Sequence, residues 1–81
     1  MNKTKFKDPN YTPDKNTFDE IKELYDNGES LSEFKLSKSN LESAYLVDVN
    51  MQNCNLSKAN LSKTSMYGAN LNGSNLFKAN L

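Results

Sequence analysis

Cys54 is the chain's single thiol, and the side chains that usually activate one are missing, because there is no His and no Arg. A reactive thiolate needs a cationic, partly exposed setting, so Cys54 reads as a small core hydrophobe. One Cys also cannot close an internal disulfide or build a zinc site. Without His the commonest general base and metal ligand is absent, and no carboxylate dyad can be named among the ten Asp and Glu. The expectation is a protein that is not an enzyme, with no catalytic residues, no cofactor and no metal. Ten Lys balance the ten acids. A neutral chain without Arg has neither the field nor the bidentate donors that nucleic-acid binding uses. No apolar run approaches the roughly 20 residues of a membrane helix, and the opening MNKTKFKDPN has no apolar leader. A cytoplasmic protein is expected, with no nucleic-acid and no membrane partner.

The elements that must position these residues come in three stretches. Eighty-one residues allow one small domain. Residues 1–13, Lys- and Asn-rich with Pro9 and Pro13, show no period and read as a flexible N-terminal arm from which Phe6 and Tyr11 could dock. Residues 14–28 read as a helix. Asp14 or Asn16 is the N-cap, Phe18, Ile21, Leu24 and Tyr25 share one face, and Gly28 closes the C-terminus. From residue 31 a new period starts. Leu31, Leu36, Leu41, Leu46, Met51, Leu56, Leu61, Met66, Leu71, Leu76 and Leu81 recur every five residues. Five matches neither the strand period of two nor the helical 3.6. A mostly small residue stands two before each Leu, and Asn usually stands just before it. One long and one small side chain per five point inward, and the chain turns once per five to keep them there. That describes a solenoid of short segments and corners around a narrow core. Asn, Gly and Ser suit the corners through the turn dihedrals they tolerate.

The motif seen as Ala59-Asn60-Leu61-Ser62-Lys63 and Ala69-Asn70-Leu71-Asn72-Gly73 resembles the pentapeptide-repeat family. The helix end Leu24-Tyr25-Asp26-Asn27-Gly28-Glu29 is similar to the N-terminal cap of some cyanobacterial members. The resemblance implies an all-β solenoid over residues 29–81, a right-handed quadrilateral parallel β-helix with four pentapeptides per coil, under an N-terminal α-helical cap. Residues twenty apart then stack, giving about two and a half coils. Leu71, Leu76 and Leu81 fall in the incomplete last one. Phe34 is too large for the tight middle of the core and is expected to fill the N-terminal end. The cap set is therefore Phe18, Ile21, Leu24, Tyr25 and Phe34, although a helix with that face could instead dock into a partner's groove.

Two surfaces could carry function. Tyr45, Val47, Tyr67 and Phe77 are apolar residues on outward positions and form the candidate partner patch. At the other end the repeats stop in mid-coil. Leu71, Leu76, Leu81, Ala69 and Ala79 would face solvent beside unpaired backbone, so either the natural chain continues or this edge stacks on a second copy as a homo-oligomer. The expected function is a non-catalytic structural or protein-interaction module presenting flat polar faces. The alternative comes from the resemblance, since certain family members mimic duplex DNA and bind topoisomerase. Mimicry needs a dense anionic surface, whereas residues 29–81 carry four acids and five Lys, a net of +1. No partner can be named from the residues.

Overall fold

The computed structural model describes residues 3–81. Its regular helices are a short 3-10 helix, Lys3–Lys7, and α1, Thr17–Asp26. Met1 and Asn2, the first residues of the expected arm, lie outside the described part.

From Ser30 onward the chain returns above itself every twenty residues. Parallel bridges pair Lys35 with Asn55, Asn40 with Asn60, Tyr45 with Ser65, Asn50 with Asn70, Asn55 with Asn75 and Asn60 with Asn80. Each is an isolated bridge, and no longer strand occurs among the described residues. The expectation of an all-β chain therefore holds only as a ladder of single-residue contacts. The reason is local, since the chain turns after every Leu and leaves too short a run between corners for a conventional strand.

One pentapeptide shows how all five backbone N–H groups are used. Asn55 N–H donates to Phe34 O on the coil above (2.9 Å), while Leu56 and Lys58 donate to Asn75 O and Phe77 O on the coil below (both 2.8 Å). Ala59 N–H closes the corner on Leu56 O (3.0 Å), and Ser57 N–H goes to the Asn55 side chain Oδ1 (3.1 Å). Buried backbone donors are nearly always satisfied, and this unit leaves none over. The same side-chain bond recurs from Asn40, Asn50, Asn60, Asn70 and Asn75 to the N–H two residues on. Asn is there as an Asx-turn former. The left-handed dihedral of each corner falls elsewhere, two residues after the Leu, on Glu33, Lys38, Ser43, Asp48, Asn53, Lys58, Lys63 and Lys78 as well as Gly68 and Gly73. Ser43, Asn53, Gly68 and Gly73 are of the types expected at corners, whereas five of the ten corners carry a long Lys or Glu instead. A positive φ at the third position of a turn closed from the fourth N–H to the first carbonyl is the type II requirement.

The inward assignment of the Leu/Met series holds. Leu31, Leu36, Leu41, Leu46, Met51, Leu56 and Leu61 are essentially inaccessible, Met66, Leu71 and Leu76 are half-buried, and Leu81 is exposed. Ser39, on a small inward position, is also buried, and its Oγ has no hydrogen-bond partner.

The top of the stack is closed by two pieces. Ile21 and Leu24 of α1 are buried on the first coil, with Phe18 and Tyr25 half-buried beside them. Asn16 stands at the N-cap position of α1, one of the two expected there, but neither it nor Asp14 supplies a side-chain cap bond to the helix. The Asp14 carboxylate accepts Asn16 N–H (2.8 Å) in a turn just before the helix. The C-terminus ends in a Schellman arrangement. Glu29 N–H reaches Leu24 O and Gly28 N–H reaches Tyr25 O, with Gly28 at φ 75°. The arm is the second piece, and its described part is docked rather than flexible. Phe6 is fully buried, stacks on Phe34 at 5.0 Å and meets Tyr11 edge-on at 4.9 Å. Its carbonyl accepts Lys35 N–H (2.6 Å), taking the acceptor place that a coil above would fill. An ion pair from Lys5 to Glu20 ties arm to helix. A single Phe among Lys and Asn offers no period, so only the tertiary contact reveals its part in the cap.

Candidate interaction surface

Cys54 occupies its expected inward place, 2% exposed. Its thiol donates to Leu31 O (2.9 Å), the carbonyl of the corner above. Ser74, one coil lower in the same column, inserts its hydroxyl into the next corner. Ser74 Oγ accepts Cys54 N–H (3.0 Å) and donates to Met51 O (2.6 Å). In this column the side chain of the coil below thus takes up the corner carbonyl. Sequence reasoning missed these bonds, which join residues 20 and 23 apart. Burial pushes the Cys54 thiol up to about 11, which leaves it protonated and a poor nucleophile at neutral pH. Among the described residues no cluster of His, Cys, Asp and Glu could hold a metal ion, and no helix is long and apolar enough to cross a membrane.

The outward aromatics divide. Tyr45 and Tyr67 are 65% and 85% exposed. Val47 stands one coil above Tyr67 in register, and Asp48 N–H donates to Tyr67 O (2.8 Å). Tyr25, expected only as a cap residue, joins this group. Its ring meets Tyr45 edge-on at 6.0 Å, its hydroxyl donates to Val47 O (2.6 Å), and burial raises its pKa. Phe77 does not join. It is exposed too, but it lies ten residues from Tyr67, half of a twenty-residue coil, and stacks under Ser57 with Lys78 over its ring. The patch is therefore Tyr25, Tyr45, Val47 and Tyr67.

The seam between α1 and the first coil runs alongside it. A hollow of about 330 Å³ opens there, floored by Phe18, Ile21, Ala44 and Leu46 and walled by Tyr45.

No described residue pairs beneath the last coil. Met66, Gly68, Leu71, Gly73, Leu76 and Lys78 sit where the coils above donate downward, yet their N–H groups have no partner among the described residues. Ala69 and Ala79 are half-buried next to Leu71 and Leu76, and Leu81 is 77% exposed. All five residues expected at this edge belong to the last four repeats of the described chain.

The model for pentapeptide repeats matches residues 30–62 and 44–81 in eight copies, well over half of the chain. The chain belongs to the pentapeptide-repeat family. The matched residues are the ones that form the stacked coils, so the repeat unit and the structural unit coincide. No curated protein and no solved structure matches the chain.

Proposed function

We propose that this pentapeptide-repeat protein is a non-catalytic interaction module. It is a right-handed quadrilateral β-helix that offers flat polar faces to a protein partner and self-associates through its open last coil. The observation that carries this reading is the lower rim. There a row of backbone donors without partners among the described residues runs beside Leu71, Leu76 and Leu81. The carbonyls of Thr64, Ala69 and Ser74, whose counterparts one coil up accept N–H groups from below, stand between these donors, so the edge carries both donors and acceptors and is a template for pairing with a second copy. The neutral balance of residues 29–81 deprives the DNA-mimic alternative of the anionic surface it needs.

Sedimentation velocity across a concentration series tests the reading. The parent protein is expected to associate, and Leu76→Glu is expected to be monomeric with unchanged circular dichroism. A parent that stays monodisperse and monomeric at high micromolar concentration overturns it.

A further inference from the structure

We infer that the seam between α1 and the first coil binds a basic protein segment that carries an apolar anchor between flanking Lys or Arg residues. The inference deepens the interaction-module reading and rests on it, but it uses the α1 side of the molecule and none of Leu71, Leu76 and Leu81 of the lower rim.

Three hollows follow one another along α1. The central one has the apolar floor already described, about 330 Å³. Phe18 links it to a hollow lined by Asp14, Lys15, Asn40 and Glu42. On the other side the Tyr25–Tyr45 pair links it to a hollow that includes Glu29 and Asp48. Asp26 and Lys22 edge the centre and pair with each other at 2.8 Å. The seam thus gathers five carboxylates (Asp14, Asp26, Glu29, Glu42 and Asp48) against two ammonium groups (Lys15 and Lys22), a net of −3. The whole chain nets zero, so charge is concentrated here.

The arrangement specifies its occupant. An apolar hollow between two acidic ones is complementary to an apolar side chain with a cationic residue on each side. The reach is short, because α1 has ten residues and spans about 15 Å. About five extended residues, at roughly 3.3 Å each, cover it. Tyr45 stands exposed at the hollow's wall, where it can cover an aliphatic or aromatic anchor and stack on a guanidinium. Nucleic acid is repelled by the sign of the seam. A purely apolar partner would leave the carboxylates desolvated without a counter-charge.

The test is panning of displayed random twelve-residue peptides on the full chain. The enriched peptides are expected to carry Lys or Arg on both sides of a Phe, Leu, Met or Trp. Binding of a synthetic version should fall at least tenfold in Asp26→Lys and in Asp48→Lys, and should weaken in 0.5 M salt. Both variants are built to fold. Lys38, Lys58, Lys63 and Lys78 already occupy the corner position of Asp48, and a cation suits the last turn of α1. Glu42→Lys, at an exposed position, is a third reversal. Leu76→Glu should leave peptide binding unchanged, which separates this site from the rim. No enrichment, enrichment of neutral or acidic peptides, or basic peptides indifferent to all three reversals overturns the inference. The sedimentation result on the rim stands or falls separately.

Discussion

The same substitution at two inward positions should change stability in opposite directions. Ser39 and Ser74 both sit two residues before an inward Leu. The Ser39 hydroxyl is buried without a partner, and its corner is already closed by Ser39 N–H on Leu36 O (3.1 Å). Twenty and forty residues on, Ala59 and Ala79 fill the same column, so a methyl fits. A buried hydroxyl without a hydrogen bond costs about 1–3 kcal/mol in mutational data, so Ser39→Ala should stabilise by about 1 kcal/mol. Ser74 is the reverse case. Its hydroxyl satisfies both Cys54 N–H and Met51 O. Removing it leaves two enclosed backbone groups to find each other across an open corner, at a cost of about 2 kcal/mol after relaxation. The separation of about 3 kcal/mol is read in guanidinium titrations followed by circular dichroism. In thermal melts each kcal/mol is worth about 4–8 °C for a chain of this size. If both variants shift the same way by similar amounts, the reasoning from hydrogen-bond accounting is wrong.

Leu61→Asp, in the middle coil, should abolish folding, because it puts an unpaired charge into a core one side chain wide, whereas Leu81→Asp at the exposed rim should leave the circular dichroism of the monomer unchanged. Phe6→Ala should cost about 3–4 kcal/mol in denaturant titrations, as expected for a buried aromatic stacked on another; a frayed arm would give a change near zero. The raised Cys54 pKa makes stability alkali-sensitive: the folded state holds the thiol proton from about pH 9 up to about 11, so the contribution is complete below that window and lost as pH rises through it. That alkaline loss, up to about 2 kcal/mol, should shrink in Cys54→Ala, and dithionitrobenzoate should not label Cys54 in the folded protein at pH 7.5.

Within the fold, the period of five was enough to place Leu31 through Leu76 inside and to set the twenty-residue stack. A side-chain repeat that is neither two nor 3.6 forces the chain to turn at every unit. The helical stripe of α1 and its Gly28 terminus were equally legible, because both are local. What the chain alone could not decide was who meets whom across coils. Phe6 closes the first coil only because Phe34 and Lys35 are brought beneath it. Tyr25 belongs to the outward patch only because it reaches the carbonyl of Val47, 22 residues away. Phe77, by contrast, was excludable from the period alone, since ten residues are half a coil from Tyr67. The Asn side-chain bonds and the left-handed Lys and Glu corners went unread because they too depend on the neighbouring coils. Residue type limits which dihedral or bond a side chain can adopt, but the choice among them was made by the ladder, which commits particular N–H groups to the neighbouring coils and leaves the Asn side chain to satisfy the remaining one.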